Sequence, residues 1–221
     1  MELVGLFEPE MCTHADLRQN YKNCQKCPLH QKRTKVVFWG GPDRSPLMAI
    51  GEAPGKDEDR LGFPFAGRAG RDSLDRMLLY LGIDRRKIHI SNACLCRPTD
   101  GYKNLTPTRE EIEICNGRLM SEIRLTEPEV IITMGKPATV AVVGVPFSSS
   151  MTSLRGWHRT TYTKGGVPYT IPVMATWHPA YELRQRQMGS RKVAGQMTDD
   201  WRQVMELVPQ IAMDGVQNDQ S

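Results

Sequence analysis

The sequence predicts an α/β protein, in which a three-layer α/β/α arrangement surrounds a central, mostly parallel four-stranded sheet. Four short apolar runs, rich in β-branched residues, each end in a polar or glycine-rich turn, which is typical of buried strands. Helical patterns lie between these runs, and strands that alternate with helices form parallel sheets covered on both faces. The four runs are residues 47–50, 88–91, 130–134 and 171–175.

The segments between the runs carry helix signals. Leucines at helical spacing predict a helix over residues 71–81, which Gly82 ends. Thr108 and Glu111 precede an apolar stretch in the capping-box pattern of a helix start. Two further helices are predicted over residues 136–143 and 198–208.

Three features set the expected limits of the domain. Residues 144–170 are rich in Ser, Gly and Thr, which predicts a surface hairpin or a loop insertion. Pro172 predicts that the fourth strand is an edge strand or that Pro172 lies at its start, because proline cannot donate to a central ladder. We expect a single domain over residues 1–208, followed by a polar, disordered tail over residues 209–221.

Composition indicates an ordinary soluble globular protein. Of the 221 residues, 24% are charged and the net charge is +4, so a polyanionic partner is compatible with the sequence but is not required by it. No apolar run reaches about 18 residues and the N-terminus lacks a basic leader, so we expect no membrane span and no secretory signal. We expect a cytoplasmic monomer, in which six reduced cysteines indicate metal binding more than disulfides.

Four of the six cysteines form two pairs. Cys24 and Cys27 stand in a Cys-x-x-Cys turn that can direct two thiolates at one metal centre, and Cys96 and Cys115 form a second, long-spaced pair. All four meet only if the N-terminal segment packs against the loop after the second strand. Zinc and a [4Fe–4S] cluster both accept four thiolates, and the long spacing of the second pair favours the cluster. Two other cysteines are interpreted as buried free thiols: Cys12 and Cys94.

Polar side chains follow the predicted strands, where α/β sheets bind ligands. Glu52 and Glu58 flank an acidic turn after the first strand, and carboxylates there suit water activation or stabilisation of a cation. The turn lacks the Gly-Lys-Ser/Thr ending of a phosphate loop, so Walker-type nucleotide binding is disfavoured. Asn92 ends the second strand with an amide that can donate and accept, and His178 ends the fourth. Phe65 either packs in the core or forms a stacking wall for a planar ligand.

Five motifs follow one another along the chain: Gly-Glu-Ala-Pro-Gly (51–55), Pro-Phe-Ala-Gly-Arg-Ala-Gly (64–70), Ile-Ser-Asn-Ala-Cys-Leu-Cys-Arg-Pro (90–98), Ile-Cys (114–115) and Thr-Trp-His-Pro-Ala-Tyr-Glu-Leu-Arg (176–184). Together they resemble the family 4 uracil-DNA glycosylases, the iron–sulfur branch of the uracil-DNA glycosylase superfamily. Each motif is weak alone, but their order and spacing are specific. The resemblance implies a uracil-DNA glycosylase-like fold. It also implies a DNA repair enzyme that flips uracil out of single- or double-stranded DNA, hydrolyses its N-glycosidic bond and leaves an abasic site.

The resemblance implies substrate contacts for four residues. Phe65 would stack on the flipped uracil, Asn92 would read its Watson–Crick edge, and Ala53 would line the same pocket. Arg184 would contact DNA from residues 180–186, the loop that enters the helix as the nucleotide leaves it.

The resemblance also implies the catalytic and cofactor residues. Glu52 and Glu58 match acidic positions linked to catalysis, and His178 would stabilise charge on the departing base. A [4Fe–4S] cluster with a structural function would be held by four ligands, with zinc as the disfavoured alternative: Cys24, Cys27, Cys96 and Cys115.

Two departures from the family pattern keep other functions open. Leu95 replaces the usual lysine, and residues 99–107 form a longer loop without the usual Asn-Arg pair. Because these changes flank the expected DNA path, they affect substrate range more than fold. The alternatives are a glycosylase for another modified pyrimidine and a non-catalytic DNA-binding homologue. A zinc-stabilised nucleotide hydrolase is disfavoured, because the phosphate-binding lysine motif is missing.

Overall fold

A computed structural model describes residues 13–213 and has a five-stranded sheet at its centre. The strands are β1 (Leu47–Gly51), β2 (His89–Asn92), β3 (Val130–Met134), β4 (Gly156–Lys164) and β5 (Val167–Thr176). Their order is β2-β1-β3-β5-β4, with parallel pairing throughout except between β4 and β5. The predicted α/β class with a mostly parallel sheet is confirmed, and the predicted count of four strands is one too few.

Helices connect these strands. They are α1 (His14–Tyr21), α2 (Lys56–Leu61), α3 (Arg76–Tyr80), α4 (Arg109–Thr126), α5 (Lys136–Val143), α6 (Met151–Leu154), α7 (Pro179–Gln187) and α8 (Lys192–Leu207). The helix predicted over residues 71–81 is a π-helical segment, Gly70–Asp75, that continues into α3. Short 3-10 turns span Pro28–Gln31, Arg85–Lys87 and Pro209–Ile211. Within residues 13–213, no helix is long and apolar enough to cross a membrane.

The centre of the sheet is buried on both faces. Every residue of β1 and β3 is buried, as expected when helices cover both sides of a parallel sheet. Successive side chains of a strand point to opposite faces. Accordingly Met48 and Ile50 pack in one apolar cluster with residues of α1, α4 and α5. Leu47 and Ala49 pack in a second cluster with residues of α3 and α8. The three-layer prediction is therefore confirmed.

Residues 144–170 form a hairpin, one of the two predicted alternatives, but the hairpin belongs to the sheet. It contains α6, the whole of β4 and the first residues of β5. Side chains of β4 alternate in burial along part of its length, and a Ser/Gly/Thr-rich composition masks this alternation in the sequence. Pro172 lies in neither predicted position, because β5 is an internal strand and Pro172 lies within it. Pairing of β5 with β3 begins only at Val173, so Pro172 pairs with β4 alone.

The starts of α4 and α8 compare differently with the sequence predictions. The capping box is confirmed: Thr108 Oγ1 accepts from Glu111 N at 3.2 Å, and Glu111 Oε2 accepts from Thr108 N at 2.8 Å. The last helix begins at Lys192, six residues before the predicted start at residue 198.

The C-terminal segment is ordered further than expected. Ile211 is buried, and its carbonyl accepts from Asp84 N at 3.0 Å. Met213 N donates to Gly82 O at 2.7 Å. The expectation of disorder is therefore wrong for residues 209–213, because an apolar side chain here fills the core beside α3. The rest of the predicted tail, residues 214–221, lies outside the described residues.

Candidate active site and cysteine cavity

The carboxyl ends of β1, β2 and β5 border one cavity of about 570 Å³. Parallel strands bring their carboxyl ends to the same edge of a sheet, which explains why residues far apart in sequence meet there. The lining includes all seven candidate residues other than the cysteines: Glu52, Ala53, Glu58, Phe65, Asn92, His178 and Arg184. The sequence had predicted this convergence, and the geometry brings the seven side chains to one cavity.

Phe65 forms a wall of the cavity in an unusual backbone conformation. Its φ is 54°, and its ring lies 6.0 Å from the ring of His178 at an interplanar angle of 28°. Two glycines allow this placement. A Cβ at Gly51 would lie 2.5 Å from Phe65 Cζ and 2.5 Å from Asn92 Oδ1, and a Cβ at Gly70 would lie 1.7 Å from Phe65 O. The glycines therefore permit the close approach of the ring and the amide.

The two glutamates have different surroundings. Burial raises the pKa of Glu52 above its ordinary value of 4.5, while a hydrogen bond with Thr106 opposes this shift. Glu58 is nearly fully buried, and its Oε1 accepts from Gly67 N at 2.7 Å. Glu58 therefore ties the start of α2 to the turn that carries Phe65.

His178 is held in one protonation state and one tautomer. Burial, reinforced by the Arg184 cation, lowers the pKa of His178 to about 4. The imidazole is therefore neutral near pH 7. Its Nδ1 accepts from Ala180 N at 3.1 Å, as the N-terminal cap of α7. A neutral ring that accepts at Nδ1 carries its proton on Nε2, so Nε2 is a hydrogen-bond donor.

The cavity lining includes three exposed cations beside the half-buried carboxylate of Asp57. Arg184 is exposed, and its guanidinium carbon lies 5.9 Å from the centre of the Tyr181 ring. Lys56 and Arg68 also line the cavity and are exposed. Cations at the mouth of a pocket attract a polyanion such as DNA.

The cysteines line a second, smaller cavity between the N-terminal segment and the loop after β2. The lining includes all four predicted ligands together with Cys94: Cys24, Cys27, Cys94, Cys96 and Cys115. The N-terminal segment does pack against that loop, as the pairing requires. Among residues 13–213, however, no three His, Cys, Asp or Glu side chains are arranged to hold a single metal ion.

Hydrogen bonds distinguish the individual sulfurs. Arg33 Nη1 donates to Cys96 Sγ at 3.1 Å, although burial raises the pKa of this thiol to about 12. A hydrogen bond from Cys94 lowers the pKa of Cys115, and the Arg118 cation adds to this effect. Cys94 is buried, as predicted, and its Sγ also lies 3.8 Å from Glu111 O. The interpretation of Cys12 lies outside the described residues.

Sequence reasoning missed three residues near the two cavities. Asn104 and Thr106 line the larger cavity, and both belong to the 99–107 loop that departs from the family pattern. The departure of this loop from the family pattern was the sequence signal that could have identified Asn104 and Thr106. Arg118 is fully buried in α4 and forms an ion pair with Glu122. Its only sequence signal was the spacing of Arg118 and Glu122, four residues apart on a helix face that also carries apolar residues.

Comparison with known proteins assigns the family. The model of the uracil DNA glycosylase superfamily matches residues 38–202. The chain belongs to this superfamily. Three relatives place it among the type-4 uracil-DNA glycosylases, which confirms the family suggested by the five motifs. The relative from Thermotoga maritima is 37% identical over 175 residues, which cover 79% of this chain and 85% of the relative. The relative from Archaeoglobus fulgidus is 32% identical over 173 residues, which cover 78% of this chain and 84% of the relative. The relative from Sulfurisphaera tokodaii is 32% identical over 194 residues, which cover 86% of this chain and 83% of the relative.

The larger cavity is lined only by residues within the stretch that matches the family model. All seven of its predicted residues fall between positions 38 and 202. Cys24 and Cys27 precede that stretch, whereas Cys96 and Cys115 lie within it. Residues of the segment from β2 to α4 line both cavities.

Proposed function

We propose that this protein releases uracil from DNA by hydrolysing its N-glycosidic bond and leaves an abasic site. One observation carries the proposal: a carboxylate, a phenyl ring, a carboxamide and a neutral imidazole line the same cavity. These groups come from Glu52, Phe65, Asn92 and His178. Membership of the type-4 uracil-DNA glycosylases supports the same reaction.

Base recognition follows from the cavity walls. A base inside a duplex cannot be reached, so the nucleotide must leave the stack, which costs a few kcal/mol. The Phe65 ring offsets part of this cost, because aromatic stacking returns about 1–3 kcal/mol per base. Asn92 forms hydrogen bonds with the edge of the base. Cytosine reverses the donor and acceptor pattern at position 4, so it would leave the buried amide mispaired. Ala53 lines the pocket beside them.

The chemistry divides between the two sides of the scissile bond. Bond cleavage builds positive charge on the sugar and negative charge on the uracil. Glu52 orients a water molecule toward C1′ and accepts its proton, while Glu58 adds a second carboxylate beside the sugar. As the new C–O bond forms and the C–N bond breaks, the electron pair leaves with uracil. The Nε2–H group of His178 donates a hydrogen bond to uracil O2 and stabilises that anion.

We also propose that Cys24, Cys27, Cys96 and Cys115 hold a [4Fe–4S] cluster. The donor set fits a thiolate-ligated group, because the four proposed ligands and Cys94 line one cavity and arginines donate to two of the proposed ligands, Cys96 and Cys115. When bound, the cluster supplies a structural cross-link between the N-terminal segment and α4. Zinc is the disfavoured alternative.

The DNA substrate is proposed to be single- or double-stranded and to bind across the positive rim. Arg184 supports this proposal, because it is exposed at the cavity. The segment over residues 180–186 that the resemblance assigns to DNA entry is helical, as part of α7, and is not the expected loop. We propose that the protein acts as a cytoplasmic monomer, in keeping with its reduced thiols.

A uracil-release assay tests the function. The coloured protein is incubated with single- and double-stranded oligonucleotides that contain one uracil, and alkali then cleaves any abasic sites. Strand cleavage at the uracil supports the proposal, and a matched thymine oligonucleotide is the control. Binding without cleavage would favour the non-catalytic homologue. Release of another base from a panel of modified pyrimidines, with uracil left intact, would favour the other alternative.

The pH profile is expected to show an acid limb set by Glu52. The carboxylate must be ionised, and because burial raises its pKa above 4.5, kcat/KM falls as the pH drops through that raised pKa. His178 stays neutral until the pH approaches about 4, so it contributes only below the Glu52 limb. Single-turnover measurements between about pH 4 and pH 8 check this. Glu52→Gln is expected to be slow and to lack the limb, and an unchanged limb in that variant would assign it to another group.

A further inference from the structure

The loop after β2 contains a short, hydrogen-bonded turn. Thr99 and Asn104 pair as an isolated antiparallel bridge, and Thr99 Oγ1 donates to Lys103 O at 2.8 Å. Asp100 Oδ1 accepts from the backbone N–H groups of Tyr102 and Lys103, both at 2.9 Å. The backbone on either side of Tyr102 is therefore held by its own contacts.

This turn presents its tyrosine to solvent. Tyr102 is 93% exposed, more than any other large apolar or aromatic side chain in residues 13–213. An aromatic ring contributes to stability mainly through buried area, so packing does not explain its presence here. An exposed ring on a held backbone is instead typical of a binding surface, because the backbone loses little conformational entropy when a ligand stacks on the ring.

The turn stands at the rim of the larger cavity. Asn104, Leu105 and Thr106 follow Tyr102 in the chain and line that cavity. Asn104 is anchored because its Oδ1 accepts from Arg97 Nε at 2.7 Å. In the sequence, Tyr102 is thus two positions before Asn104, a residue in the wall of the proposed uracil pocket. Lys103 is exposed next to Tyr102 in the chain, and the cavity lining itself includes the cations Lys56, Arg68 and Arg184.

We propose that Tyr102 is a stacking platform for a nucleobase that flanks the uracil on the same DNA strand. The ligand is the base adjacent to the uracil or one nucleotide beyond it, and Lys103 supplies a cation for the neighbouring phosphate. Stacking tolerates any base, since every base has a π-face, so this subsite adds affinity without adding sequence preference. The subsite rests on the proposed function, because only a uracil-bearing strand brings a flanking base to this rim.

A cycle of variants and substrates tests the subsite. Single-stranded oligonucleotides carry one uracil, and a tetrahydrofuran abasic residue replaces each of the two nearest bases on either side in turn. For the wild type, loss of the contacted base is expected to raise KM by about 5-fold to 150-fold at one of these positions. Tyr102→Ala is expected to raise KM similarly on the intact strand and to be insensitive to the abasic substitution. Tyr102→Trp is expected to restore the sensitivity.

Tyr80→Ala is the matched control. Tyr80 is also highly exposed, but it lies on α3, contacts Arg202 and does not line the cavity, so its removal is expected to leave KM unchanged. If the abasic substitutions affect the wild type and Tyr102→Ala equally at every position, the platform does not exist. Wild-type release of uracil from the intact strand keeps that result distinct from a failure of the proposed function.

A separate buried network links the cysteine cavity to the base-reading end of β2. Arg118 Nη2 donates to Asn92 O and to Ala93 O, both at 2.7 Å, and lies 3.7 Å from Cys115 Sγ. Arg118 Nη1 donates to Glu122 Oε2 at 2.5 Å, and both side chains are fully buried. A buried ion pair contributes little net stability, because desolvation offsets the attraction. Stability alone therefore does not account for this arginine.

We propose that Arg118 is a positioning residue for Asn92. By holding the carbonyls of Asn92 and Ala93, it orients the amide that reads uracil, and its contact with Cys115 ties that orientation to the cysteine cavity. This role also rests on the proposed function. Nη2 donates to both carbonyls while Nη1 donates to Glu122, and a lysine ammonium cannot reproduce this planar arrangement, so lysine replaces the arginine only in part.

The double variant Arg118→Met/Glu122→Gln tests this role by removing both charges of the pair together. The glutamine amide keeps an oxygen for His89 Nε2, which lies 2.9 Å from Glu122 Oε1. We expect the inhibition constant of free uracil to be about 10-fold to 100-fold higher for this variant than for the wild type. A small misplacement of a binding group has an effect of this size. Affinity for uracil-free DNA and iron content are expected to stay unchanged. Thr126→Val is the control, since it removes the contact between His14 and Thr126 at the far end of α4 and is expected to affect stability alone.

Arg118→Lys keeps the positioning role testable even if the double variant does not fold. It retains a cation opposite Glu122, and intermediate inhibition by free uracil is expected. Inhibition equal to that of the wild type in either variant would overturn the positioning role. An inactive wild type would instead contradict the proposed function.

Discussion

Asn92→Ala is expected to lower kcat/KM for uracil release by about 10²-fold to 10³-fold, the usual cost of removing one preorganised polar group from an active site. Asn92 is buried at the end of β2 and lines the cavity, so its amide is aimed at the base without competition from bulk water. Single-turnover release from a uracil oligonucleotide measures the loss.

The same variant should still bind DNA, because the cationic rim is intact. The affinity for a uracil-free oligonucleotide is therefore expected to equal that of the wild type. Gln203→Ala is a matched control, since it removes an amide from α8 that bonds Trp157 at 3.0 Å outside the cavity. Wild-type release rates in Asn92→Ala would remove Asn92 from the proposed site.

Cys27→Ala is expected to give colourless, poorly soluble protein. Removal of one ligand from the proposed four-thiolate set leaves an iron without its fourth sulfur, and the segment before β1 loses its cross-link to α4. Iron analysis should fall from about four atoms per chain to nearly none, with loss of the visible absorption. Iron content and visible absorption do not depend on catalysis, so this test of the ligand set is independent of the test of glycosylase activity.

Cys94→Ala is the matched control for that experiment. Cys94 lines the same cavity, but its sulfur is hydrogen-bonded to Cys115 and lies 3.8 Å from Glu111 O. The variant is expected to keep both its iron and its colour. Colour retained in Cys27→Ala, or lost in Cys94→Ala, would contradict the proposed ligand set.

Local signals predicted the elements that depend on local physics. The apolar run at residues 130–134 matches β3, and the capping box at Thr108 starts α4 as expected. The fifth strand was missed because β4 is half exposed and rich in threonine, so its partner β5, and not its own hydrophobicity, holds it in the sheet. The ordered residues after α8 were missed for a similar reason, since Ile211 is held by contacts with residues near Asp84.

The candidate site was predictable to a different degree. Motif order singled out Glu52, Phe65, Asn92 and His178, because these residue types follow strands that share one sheet edge. The protonation state of His178 was not predictable, because it depends on burial and on the charge of Arg184.

From the sequence alone came the α/β class, the family resemblance, the seven candidate residues and the two cysteine pairs, because motifs and periodicity are properties of the chain itself. Only the tertiary structure decided that the seven residues share one cavity and that Arg118 reaches both Asn92 and Cys115. It alone showed that Tyr102 is exposed in a loop whose next residues line the cavity. Distances between segments far apart in the chain arise from packing, and packing also sets the local dielectric that shifts each pKa.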